Sequence, residues 1–200
     1  MHPADTFYLS DNDPPSKREI LRAALKLFAR DGVAGTNIRA IASESGYSNP
    51  ALFKYFESKD SLALYLFERC YWQCFSVLSS ALAQKNSYPD KLHMMVAAFA
   101  EFIQAQPEAF FFVQENLRTF WPTMSAASKK HSLFGEFRKL LQQGRDEGSV
   151  DAGLAIDIQL AALMGFFFQL ARMNHFKELA SGVAARTDEI EAMIVKMFQI

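Results

Sequence analysis

Residues able to do chemistry on a partner cluster in one short stretch of this 200-residue chain. Ser48, Asn49, Pro50 and Ala51 follow directly on Gly46-Tyr47, and Lys54, Tyr55 and Lys59 come soon after. On a helix opening at Ser48 or Asn49 the first four project from its first turn. There Asn49 can cap the helix or hydrogen-bond a base edge, Pro50 and Ala51 can touch a thymine methyl group, and Lys54 and Tyr55 can reach phosphates. Lys59 opens the next helix, where a cation opposes the macrodipole at a cost of about 0.3–1 kcal/mol. A phosphate held by its ammonium and by the free N–H groups of that helix would remove the cost. Thr36, upstream, reads as the cap of a short helix, as a phosphate contact, or as both.

Other reactive side chains point to little chemistry. Cys70 and Cys74 lie at i and i+4 and read as structural thiols. Four scattered histidines (His2, His93, His131, His175) do not make a metal site, and no cofactor is expected. The patterns G-x-S-x-G, G-x-G-x-x-G, the Walker loop and H-E-x-x-H do not occur, so the chain does not read as an enzyme.

Charge narrows the partner. The net charge is −1, but residues 16–60 hold eight basic residues (Lys17, Arg18, Arg22, Lys26, Arg30, Arg39, Lys54, Lys59) against five acidic ones. Only this stretch is cationic; residues 1–15 carry three Asp and no Lys or Arg, the wrong charge for a secretory signal. The longest uninterrupted apolar run is the nine residues 160–168, short of a spanning helix, so no membrane partner and a cytoplasmic location are expected.

The elements that must position these residues are helical. Half the residues are apolar, while Val, Ile and Thr together number only 21 against 19 Phe and 8 Met, which predicts an all-α chain. Ser16 with Glu19 three residues on reads as a capping box, and Ile20, Ala23, Ala24, Leu27 and Phe28 form one stripe before Asp31-Gly32 stops the helix. Thr36 would cap a second helix buried through Ile38, Ile41 and Ala42 and ended by Gly46. The third, of about nine residues or roughly 13 Å, has Ala51, Leu52, Phe53, Tyr55 and Phe56 to bury. Ser58 caps a fourth that runs to about residue 84. Two short helices around a tight turn, flanked by two long ones, are a helix-turn-helix. Pro89, Pro107, Pro122 and Gly148 then delimit helices near 90–106, 108–121, 128–148, 152–176 and 187–199, about nine in all. The organisation is a polar arm over 1–15, a head over 16–62 and a helical domain over 63–200.

The stretch T-N-I-R-A-I-A-S-E-S-G-Y-S-N-P-A-L-F-K-Y-F-E-S-K-D-S-L, residues 36–62, resembles the DNA-binding signature of the TetR family of bacterial transcriptional regulators. It departs at Phe53, where the family usually has Tyr, and at Lys54, where it often has His. The resemblance implies a three-helix DNA-binding head, in which Asn49 reads a base edge, and a larger C-terminal helical domain for effector binding and dimerisation. Such regulators dimerise through their last two long helices as a four-helix bundle and take an effector between the fourth and eighth helices.

The residues independently supply surplus rings. Phe110-Phe111-Phe112 and Phe166-Phe167-Phe168 each spread three rings over about 200° of a helix, more than one core face absorbs. One use is a second subunit, with small Ala161, Ala162 and Gly165 allowing close approach. The other is an effector cavity walled by Trp72, Phe75, Phe99, Phe102, Phe112, Phe120, Trp121, Phe137, Met164 and Phe167, with Gln114, Asn116 and Gln169 as orienting polar groups. The expected function is a homodimeric repressor that binds a double-stranded operator with inverted-repeat symmetry and is released by a small hydrophobic effector. The alternative is the same head joined to a domain that answers a protein partner and no small ligand.

Overall fold

The computed structural model describes residues 7–10, 12–84 and 86–198. Their regular structure is helical: α1 Pro15–Gly35, α2 Ile38–Ser45, α3 Asn49–Phe53, α4 Lys59–Leu82, α5 Tyr88–Ala105, α6 Pro107–Phe120, α7 Ala126–Lys129, α8 Leu133–Asp146, α9 Ile156–His175 and α10 Thr187–Phe198. Apart from the four-residue α7, these described helices are the expected nine. They form two compact units, one holding residues up to Gln73 with Glu108–Met124, the other Cys74–Pro107 with the residues from Ser125 onward. By packing, then, α6 goes with the first unit, whereas the sequence division at 62/63 assigns it to the C-terminal domain.

In the first unit α1 buries the expected stripe and adds Leu21 and Leu25. Gly32, at φ 73°, interrupts the helix where the sequence predicts a stop. Aromatic pairing explains where α6 goes: Phe112 stacks on Phe28 at 5.8 Å, Phe120 meets Phe67 at 5.4 Å, and Trp121, just past the helix, meets Tyr71 at 5.1 Å. Two expectations are corrected. Pro14, not Ser16, is the N-cap of α1, because the chain enters the helix through Pro15 at N1; the Ser16 hydroxyl instead pairs with the Tyr55 hydroxyl at 2.7 Å. The polar arm is also partly packed: Tyr8 and Leu9 are buried, and burial pushes the Tyr8 hydroxyl up to about 12. Residues 1–6 and 11 of that arm lie outside the described residues.

The second unit has its core between α5, α8, α9 and α10. Phe99, Phe137 and Phe167 form a closed ring cluster with centroids 5.5, 5.5 and 6.0 Å apart, and Val96, Leu141, Leu163 and Ile194 of the same helices are buried too. Gln159, buried in α9, is satisfied: its amide donates to the Asp151 carbonyl at 2.7 Å and its oxygen accepts from Arg145. Helix α8 starts later than expected, at Leu133 under a Ser132 cap, because Ala126–Lys129 makes a separate turn. Likewise α9 starts at Ile156 and not at 152.

One helix is more apolar over its whole length than its longest uninterrupted run suggests. By length and composition α9, with a mean hydropathy of 1.3, is apolar enough to span, because Gln159 and Gln169 interrupt its apolar runs without making it polar overall. It buries Leu160, Leu163, Met164, Phe167 and Ala171. Of the two Phe triplets, Phe110, Phe112 and Phe167 are buried and Phe111, Phe166 and Phe168 half-buried. Ile158, Ala161 and Gly165 on α9, and Met193 on α10, are exposed.

Candidate nucleic-acid interface

The turn between α2 and α3 is built from local chemistry. Asn37 has extended backbone and its side chain accepts the Ala40 N–H at 2.9 Å, so it caps α2. Thr36, predicted to be that cap, is the C-cap of α1 instead: it is 3% exposed, and its hydroxyl donates to the carbonyls of Gly32 (2.8 Å) and Leu27 (3.3 Å). That inward hydroxyl also argues against the phosphate contact expected of it. At the other end of α2, Gly46 takes the left-handed conformation (φ 74°), and the next N–H, of Tyr47, returns to the Ala42 carbonyl at 3.1 Å.

Helix α3 has five residues, against about nine expected, and the chain leaves it by a tight turn in which the Tyr55 and Phe56 N–H groups both reach the Leu52 carbonyl. Leu52 and Phe56 are buried and hold it down. Phe53, expected in the core, is 50% exposed, because the early end of the helix leaves it pointing away from both. Ser48 stands at the N-cap position but makes no capping bond. Ser48, Pro50, Phe53 and Lys54 are exposed beside Tyr47, while Asn49, Ala51 and Tyr55 are half-buried.

Electrostatics divides the cationic stretch. Lys17 pairs with Asp13 at 2.7 Å, Arg22 with Glu19, Lys26 with Glu44 at 2.6 Å and Arg30 with Asp31 at 2.7 Å. Lys59 does not present its ammonium to an open phosphate site. It donates to the carbonyls of Val33 (2.6 Å) and Thr36 (2.8 Å), so the end of α1 supplies the negative partner that the start of α4 lacks. Arg18, Arg39 and Lys54 have no carboxylate partner among the described residues; the Lys54 ammonium sits 5.7 Å from the Tyr55 ring centroid. Sequence reasoning passed over Arg39, Tyr47 and exposed Phe53 as contact residues. For Arg39 a signal was present, since a residue between Ile38 and Ile41, on a helix buried through Ile41 and Ala42, must face outward.

The expected effector wall draws on both units. Trp72, Phe112, Asn116, Phe120 and Trp121 belong to the first unit, and Phe75, Phe102, Met164 and Phe167 to the second. Asn116 spends an amide hydrogen on the Phe112 carbonyl at 2.8 Å. Phe75 lies edge-on to His131 at 5.2 Å. Gln169 is exposed and accepts from Arg172, so it does not orient a guest. The Gln114 side-chain amide oxygen is buried with no hydrogen-bond partner among the described residues. Both cysteines are buried, and burial pushes the Cys74 thiol up.

A capped helix, a left-handed glycine turn and a short second helix with an exposed first turn define a helix-turn-helix DNA-binding regulator. Residues 20–66 match the model of the bacterial regulatory proteins of the tetR family. Over 48 residues it is 44% identical to the HTH-type transcriptional regulator YerO of Bacillus subtilis, a match covering 24% of this chain and only 17% of that relative. Two solved structures share the fold nearly end to end. The ketosteroid transcriptional regulator KstR2 of Mycobacterium tuberculosis has a TM-score of 0.79 at 16% identity, covering 96% of this chain and 97% of its own. The transcriptional regulator FadR of Bacillus subtilis, in complex with stearoyl-CoA, has a TM-score of 0.69 at 15% identity, covering 90% and 97%.

Proposed function

We propose that this protein is a homodimeric repressor whose head, residues 16–62, binds an inverted-repeat DNA operator and whose residues 63–200 bind a small, largely apolar effector that releases it. The carrying observation is the unspent polar chemistry around α3. Among the described residues the Ser48 hydroxyl, the Lys54 ammonium and the Arg39 guanidinium have no ion-pair or hydrogen-bond partner, next to exposed Tyr47 and Phe53, while most other cations of the head are satisfied internally. Lys54 and Arg39 serve phosphates, and Ser48, Asn49, Pro50 and Ala51 serve base edges. Tyr55 reaches a phosphate while keeping its bond to Ser16, since a phenol can donate one hydrogen bond and accept another.

The dimer reading is supported by the exposed face of Ile158, Ala161 and Gly165 on α9, where a side chain added at Gly165 would meet nothing within 4 Å. The effector reading is supported by what the two structural neighbours are named for, a ketosteroid in one and bound stearoyl-CoA in the other. Release is a population shift: an effector that prefers the conformation with misplaced heads weakens operator binding by its differential affinity. The closed cluster of Phe99, Phe137 and Phe167 favours the second reading, a domain answering a protein partner. DNA selected from a random pool should show two-fold symmetry, and stearoyl-CoA or a steroid ketone should both raise the thermal midpoint and release that DNA. Two-fold DNA binding with no thermal shift from either compound class would leave the second reading standing.

A further inference from the structure

A cavity of about 400 Å³ opens in the second unit, lined by no residue of the expected effector wall. That volume suits a small organic molecule. Its apolar surface comes from Tyr88, Pro89 and Leu92 in the first turns of α5 and from Val195 on α10; its polar groups are Ser149, in the turn after α8, and Glu191 on α10. Two details of the backbone keep the space open. Gly148, at φ 72°, lets the chain turn sharply at the cavity edge. Gly144 allows the Tyr88 ring to lie flat on α8, since a Cβ there would fall 2.7 Å from the ring.

The chemistry inside is specific. The Ser149 hydroxyl makes no hydrogen bond among the described residues, although it is half-buried. Glu191 is engaged on one side only, by His93 of α5 at 2.7 Å. The charged groups around this pair are mostly acidic: Asp90 and Asp188 act on His93, and Glu147 accepts the Tyr88 N–H at 2.7 Å. The nearby Lys91 is turned to the Gln143 side-chain oxygen at 2.9 Å. The cavity is therefore a slot of mixed polar and apolar surface with an anionic end wall. On the α10 helical wheel Val195 and exposed Met193 are two residues, about 200°, apart, so a partner helix on the Met193 flank would leave the slot accessible.

We infer that this cavity is a second small-molecule site, which takes a protonated amine carrying a short apolar or aromatic body, its ammonium on Glu191, its body against Tyr88, Leu92 and Val195. The site is separate from the proposed effector wall and goes beyond that reading. The ligand ammonium and protonated His93 compete for one carboxylate. An alkylammonium stays charged to about pH 10, like a lysine, whereas His93, although its hydrogen bond to Glu191 holds it above the ordinary histidine value, loses its proton first. Binding should thus tighten from pH 6 to pH 8.5.

The test is titration calorimetry of the full chain with 2-phenylethylammonium, its neutral analogue 2-phenylethanol and its anionic analogue phenylacetate. The ammonium should bind at least tenfold more tightly than the alcohol, and phenylacetate not measurably. Glu191→Gln should lose the tenfold preference, Val195→Phe should abolish binding by filling the slot, and His93→Asn should remove the pH dependence. Glu191→Gln should leave DNA binding and its release by stearoyl-CoA unchanged, so failure here is distinguishable from failure of effector-released repression. Equal binding of alcohol and ammonium, unchanged affinity in Glu191→Gln, or no binding of any probe would overturn the proposal.

Discussion

The two units leave opposite kinds of group unspent. The first buries most of its apolar side chains, Phe28–Phe112 and Phe67–Phe120 ring contacts among them, apart from Tyr47 and Phe53 beside the turn, and around α3 it exposes polar groups without internal partners among the described residues. In the second, Gln159, Arg145, Gln143 and Glu147 are tied to backbone or to each other, and large apolar residues are exposed: Ile158 at 64% and Met193 at 48%. Unsatisfied polar groups call for a polar partner, and an uncovered apolar face calls for another apolar face. The contrast supports the proposal of DNA at one unit and a second copy at the other, independently of any relative.

The largest test of the contrast is a ring deletion on each side. Phe137→Ala or Phe167→Ala should cost about 3–5 kcal/mol in urea unfolding, because each ring sits in a closed cluster. Phe53→Ala, half-exposed, should cost within about 0.5 kcal/mol while weakening DNA binding. A loss under about 1 kcal/mol for Phe167→Ala would mean that the ring borders empty space rather than core.

A second, smaller effect separates two lysines of the first unit. Lys59→Ala removes two charge-assisted hydrogen bonds and should cost about 1.5–3 kcal/mol of stability. Lys54→Ala should leave stability within about 0.5 kcal/mol but lower the slope of log affinity against log salt by about 1. Equal salt slopes for both variants would sink this division.

Capping comes next. Asn37→Ala should cost about 1 kcal/mol through loss of the bond to the Ala40 N–H. Ser48→Ala, which breaks no capping bond, should leave the thermal midpoint nearly unchanged and act on DNA affinity alone.

The smallest effect is one of pH in the second unit. Glu191, hydrogen-bonded to His93, raises the imidazole above its ordinary 6.5. A raised folded-state value means that the stabilisation is complete below the unfolded value and fades as pH rises through the folded one. The tie between α5 and α10 should therefore loosen above neutrality, read as hydrogen exchange in α10 that is faster at pH 8.5 than expected from the intrinsic rate. His93→Asn should remove that excess.

What was legible in the sequence follows interaction range. Gly46 as a left-handed stop, Leu52 as an anchor and Ser58 as a cap depend on residues within one turn, and each is where the pattern puts it. Lys59 was misread because its carbonyl partners lie 23 and 26 residues upstream, where no local rule reaches. The Ser16 cap failed similarly: its hydroxyl is taken by Tyr55, 39 residues on. The effector wall was least legible, since rings at helical spacing look alike whether they stack on Phe28, close a cluster or border a cavity.

The five-residue length of α3 has a consequence for how such a protein can change over time. A segment this short cannot nucleate a helix by itself, so its shape is imposed from outside, through Leu52, Phe56 and the turn at Gly46. The outward positions 48, 50, 53 and 54 contribute almost nothing to that shape. Mutation there meets little folding constraint, and descendants of this chain can acquire new operators by altering a handful of codons while inheriting the scaffold intact.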